Sequence, residues 1–125
     1  MNNVIYVGIG GFLGAISRYL SVRFVTNIAG VKNFPLGTMT VNILGCFLLG
    51  LGLGLATEKQ ILSPEARLLL FTGFLGSFTT YSTFGAESFG LFKSGSFAGA
   101  SVNIVLHVII GLAAVWAGDF ISKAV

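Results

Sequence analysis

Five hydroxyl side chains stand in a row at Thr79, Thr80, Tyr81, Ser82 and Thr83, flanked by Phe78 and Phe84. The stretch around them carries no charge from Leu68 to Ala86. Hydroxyls at bilayer depth find no partner in lipid, so such a run needs protein or water to face. The chemistry on offer is hydrogen bonding to a small solute or ion that has shed its water. Asn42 adds an amide, seven residues into a second uncharged segment, with Thr38 one helical turn earlier on the same face. That amide either bonds two helices together or donates to a small anion, and nothing local decides between the two.

Further residues extend this polar set. Arg18 lies 14 residues beyond Val4, about 21 Å along a first helix. A guanidinium near mid-bilayer costs roughly 2.5–3.5 kcal/mol. Arg18 either snorkels to an interface about 9 Å away or lends positive potential to a polar vestibule that attracts anions. Tyr81 and Phe84, at i and i+3, share a face if their stretch is helical. Aromatics at that spacing commonly serve packing, yet ring edges carry partial positive charge and can steady an anion without gripping it. Glu87 is the one acid within or beside a span, either an end cap or a polar-path residue with Thr83 and Ser88 in reach. Asn103, His107 and Gly111 form an i, i+4, i+8 stripe in the last segment, where a lone histidine has packing as its simpler role. Gly73, Gly76 and the hydroxyl run are poor helix formers, so a break is expected there. An unwound turn frees backbone carbonyls that can coordinate a monovalent cation.

Four apolar segments must position these groups. The chain of 125 residues is 54% hydrophobic and 9% charged, with a mean hydropathy of +0.93. Soluble domains carry about 25% charged residues, so this is an integral membrane protein. The spacing predicts one all-α domain over 1–125, with transmembrane helices at about 4–28, 36–57, 67–91 and 95–122. The N-terminal MNN lacks a basic leader and the apolar stretch outruns a signal peptide's core, so the first segment is expected to stay as a helix. Pro64 is placed to start the third span. Four helices with short links enclose little, which predicts an oligomer. Basic residues balance across the membrane: Lys59, Arg67 and Lys123 against Arg23, Lys32 and Lys93. Either one position dominates orientation, or copies insert both ways and pair antiparallel.

Several function classes drop out. A net charge of +3, scattered, offers no nucleic-acid surface. GIGGFLG at 8–14 places Leu13 where a dinucleotide loop needs its third glycine. Gly10/Gly14 and Gly50/Gly54 read instead as small-residue helix packing. One cysteine, Cys46, supports neither a disulfide framework nor a thiolate metal site. No catalytic set is visible, so the chain is not read as an enzyme.

Three segments in order, GGFLGAISRY at 10–19, GTMTVNILG at 37–45 and TGFLGSFTTYSTFGAE at 72–87, resemble the small dual-topology fluoride channels called Fluc or CrcB. The resemblance covers essentially the whole chain. It implies a broken third helix, an antiparallel homodimer in the cell membrane and two fluoride pathways. It further implies passive export of F− that lowers cytoplasmic fluoride. Asn42 matches the pore asparagine, Tyr81 and Phe84 the paired pore phenylalanines, and Arg18 the vestibule arginine. Thr38, Glu87 and the fourth-helix stripe with His107 match the polar track, which Thr80 and Thr83 join. Gly76 and Thr79 match positions whose backbone carbonyls hold a structural Na⁺ at the dimer centre. Three departures stand out: Tyr81 replaces the usual Phe, Ser77 sits where glycine is common, and Gly111 and Val115 stand where relatives can carry hydroxyls. Two rival readings are a four-helix proton-coupled multidrug antiporter and a non-transporting assembly subunit. The first would need a carboxylate in its first helix, where this chain has Arg18; the second would not need the hydroxyl run.

Overall fold

The computed structural model describes residues 2–31, 33–58 and 62–124. Lys32 and Lys59, used in the charge balance, lie outside the described residues. Among those described there are helices and no strands. α1 (Asn2–Ala29), α2 (Leu36–Glu58) and α6 (Phe97–Ala124) are each long and apolar enough to cross a bilayer. The 28 residues of α1 reach about 42 Å, more than the hydrocarbon core demands. Gly30, at φ +63°, ends α1 in the left-handed conformation that glycine adopts without strain, its N–H bonded to the Thr26 carbonyl at 3.2 Å. Gly95, at φ +80°, does the same before α6, which is why that helix begins at Phe97.

The remaining crossing is made of two half-spans, as the residue composition predicts. The first opens at α3 (Pro64–Arg67), where the Ser63 hydroxyl accepts from the Ala66 N–H and Pro64 fills a position that needs no donor. It runs on through a π-helical stretch, Leu68–Leu75, and the short α4 (Gly76–Phe78). Thr79 and Thr80 are then extended, at φ/ψ −85°/158° and −150°/114°. β-branched residues favour that conformation over helix. Thr79 closes the first half, with its N–H and its hydroxyl each donating to the Leu75 carbonyl at 3.0 Å. Thr80 opens the second half, α5 (Tyr81–Lys93), by accepting from the Thr83 N–H and donating to the Thr83 hydroxyl at 2.9 Å.

Glycines set how closely these rods approach. α1 lies along the first half-span, and α2 lies along α6. A Cβ at Gly10 would strike the Leu69 carbonyl, and one at Gly14 the Phe74 carbonyl, so the two backbones touch. Gly50 meets the Val115 carbonyl in the same way across α2 and α6. α5 packs on α6 and sits apart from most of α2, which leaves space beside the break. The interior is small and partly polar: Thr38, Ser88, Asn103 and Ser122 are buried with Val41 and Phe78. Phe12, Phe24, Leu112 and Trp116 face outward, as lipid-facing helices require.

Candidate functional site

The break is held by one side chain. Asn42 Oδ1 accepts the Thr80 N–H at 2.8 Å, and Asn42 Nδ2 donates to the Thr80 carbonyl at 3.1 Å. In a continuous helix that N–H would bond the Gly76 carbonyl, so Asn42 substitutes for the missing helical bond. An amide nitrogen has two hydrogens. One is committed to Thr80; the other is available to a solute. The two sequence readings of Asn42 are therefore compatible: it joins two elements and retains a donor.

Three rings follow from this point. Tyr81 and Phe84 lie 5.7 Å apart between centroids, tilted by 53°, and Phe84 lies 4.4 Å from the His107 ring. Tilted rings present edges to their neighbours, the arrangement suited to partial positive charge along a path. Tyr81 is 84% exposed. His107 Nδ1 bonds the Asn103 carbonyl at 2.9 Å. A carbonyl only accepts, so Nδ1 carries the proton. Asn103, fully buried, donates to the Ser88 hydroxyl, which in turn donates to the Phe84 carbonyl. α5 is thereby pinned to α6 behind the Phe84 ring. Asn42, Gly76, Thr79, Thr80, Tyr81, Phe84 and His107 all line one open groove of about 350 Å³.

Thr38 faces elsewhere, although it shares α2 with Asn42. Its buried hydroxyl donates to Glu87 Oε1 at 2.6 Å, and Glu87 Oε2 has no partner among the described residues. The sequence placed Thr83 and Ser88 within reach of Glu87; the structure gives it Thr38, because Ser88 is engaged by Phe84 and Asn103. Arg18, Thr38, Thr80, Thr83 and Glu87 line a second cavity of about 390 Å³. Thr80 borders both cavities. A third, of about 670 Å³, is bounded by the α1–α2 and α5–α6 connections and shares Thr26 and Glu87 with the second. Three cavities thus lie in series between the connecting loops and the rings, with Thr26 and Glu87 bordering the first two and Thr80 the last two. Thr26 is one lining residue that sequence reading overlooked, as are Tyr19, Arg23 and Asn27. The signal for Thr26 was the i, i+4, i+8 stripe of Arg18, Val22 and Thr26 on α1.

The Gly76 and Thr79 backbone suits a hard monovalent cation in its donor chemistry. The diverted Thr80 N–H releases the Gly76 carbonyl, and Thr79 is extended rather than helical. Carbonyls freed at a break are the usual ligands for such ions within membranes. A Cβ added at Gly76 would meet only the Phe71 carbonyl, at 3.6 Å, so that backbone is open to approach. Two carbonyls do not by themselves complete a coordination shell.

Fold and site together define a multi-pass helical membrane protein with partly polar cavities beside a broken span. Residues 5–119 match the family described as CrcB-like protein, Camphor Resistance (CrcB), and the chain belongs to that family. Among its relatives, the fluoride-specific ion channel FluC of Hahella chejuensis is 45% identical over 98% of this chain and 96% of its own length. The protein of the same name from Maridesulfovibrio salexigens is 44% identical over 100% and 98%. That of Campylobacter lari is 44% identical over 98% and 99%.

Proposed function

We propose that this chain is a passive fluoride-specific channel of the cell membrane that lets F− leave down its electrochemical gradient. Hydrogen fluoride crosses membranes as a neutral acid and dissociates inside, so an exit for the ion lowers the internal level. The single observation that carries the reading is Asn42 clamped on Thr80. It fixes the break so that a spare amide N–H, the Tyr81 hydroxyl and ring edges line one groove. These groups offer partial positive charge and weak, replaceable donors, which conduction requires. The full-length relatives named as fluoride channels support the same substrate. The route needs no proton-exchanging carboxylate in α1, where Arg18 stands, and nothing favours the antiporter reading.

The working unit in this proposal is an antiparallel pair. The groove is open on one side. A second copy would close it, and it would bring a second pair of Gly76 and Thr79 carbonyls to a Na⁺ between the subunits. Bound there, the ion would supply fixed positive charge to oxygen atoms that the break leaves unpaired. The near-even distribution of basic residues supports insertion in both orientations. The test is reconstitution in potassium fluoride-loaded liposomes with an external fluoride electrode. Fluoride release that requires a potassium ionophore, without chloride release, is the expected result. Fluoride retention, or release coupled to protons without the ionophore, would refute it.

A further inference from the structure

We infer that Arg23, with the vestibule it shares with Arg18, captures fluoride at the loop end of the route and sets how fast the ion enters. This rests on the channel reading above. Arg23 lies five residues past Arg18 on α1, about 7.5 Å nearer the end of the helix. Both border the same cavity as Thr38 and Glu87. That cavity shares Thr26 and Glu87 with the larger one at the connecting loops, and Arg23 stands closer along α1 to Thr26 than Arg18 does.

Arg23 is held in place without being neutralised. Its Nη1 donates to the Tyr19 hydroxyl at 3.1 Å, and its guanidinium lies 6.0 Å from the Tyr19 ring centroid. Both contacts are with a neutral side chain. The one salt bridge among the described residues, Lys123 to Asp119, is elsewhere. Glu87 is the carboxylate in that cavity, and its recorded partner is Thr38. An oriented, unneutralised cation on a funnel with low-dielectric walls raises the local anion concentration and the rate of capture. Arg23 is exposed, and its one side-chain hydrogen bond is to Tyr19 on the same helix, also exposed.

The capture role differs from a structural one in its dependence on salt. Screening reaches about 30 Å in 0.01 M salt and about 3 Å in 1 M. Purified R23Q and R23K are compared with the parent chain in liposomes, by initial fluoride efflux at low fluoride, with an impermeant salt setting ionic strength. R23Q is expected to lose about two- to fivefold at low ionic strength, to match the parent at high, and to be rescued by R23K. Equal flux of R23Q and parent at low ionic strength would overturn the inference while leaving the channel reading intact. An R23Q deficit that persists unchanged at high ionic strength would also overturn it, by pointing to packing. No fluoride efflux from the parent would overturn both.

Discussion

Asn42 concentrates more consequence than any other side chain, because in the proposed channel one amide serves both the fold and the ion's path. Asn42→Ala strands the Thr80 N–H and carbonyl, at a cost of about 1–3 kcal/mol for each group left buried without a partner. It also deletes the spare donor. Fluoride flux from the variant is expected to fall at least about tenfold while the protein still elutes as one species. Undiminished flux would take Asn42 out of the route. Phe84→Ile removes a ring edge and the tilted contact with His107 at 4.4 Å between centroids, and flux should again drop with the fold preserved. Sequence alone showed that Asn42 was a costly polar group needing partners. It did not show that both partners sit on one residue 38 positions away. Glu87 illustrates the same limit, since its bond to Thr38 joins residues 49 apart.

Helices and their interruptions were more legible than side-chain partners. Glycines and a run of β-branched residues marked a break, and the chain leaves the helix at Thr79 and Thr80. The π-helical stretch Leu68–Leu75 was not legible as such, for its Gly73 signals weak helix without specifying the wider turn. What distinguishes it is contact with α1, where Gly10 and Gly14 admit backbone against backbone. Gly14→Val would drive a side chain into the Phe74 carbonyl, and a loss of about 1–3 kcal/mol or more is expected. Thermal unfolding in detergent reads this as a lowered midpoint; an unchanged midpoint would mean the helices can separate without penalty. Thr80→Ala should remove the cap on α5 for about 1 kcal/mol and lower the same midpoint by less than Gly14→Val.

At the scale of the whole molecule, three long apolar helices and one divided span make a membrane protein whose small interior holds the polar side chains of Thr38, Ser88, Asn103 and Ser122. Composition alone indicated that class, whereas the placing of three cavities with Thr80, Thr26 and Glu87 at their shared borders depends on how α1, α2 and α5 converge. Pairing of opposed copies is a matter of insertion. Two lysines added to the connection at 58–67 should bias the chain toward one orientation and reduce fluoride efflux from cells. Accessibility tags that report the same orientation before and after would contradict dual insertion. The most direct measurement of the central claim is the reversal potential of the reconstituted protein between fluoride on one side and chloride on the other. A reversal set by the fluoride gradient, unmoved by a proton gradient, is the result this account predicts. Reversal set by chloride, or absence of current under voltage, would contradict it.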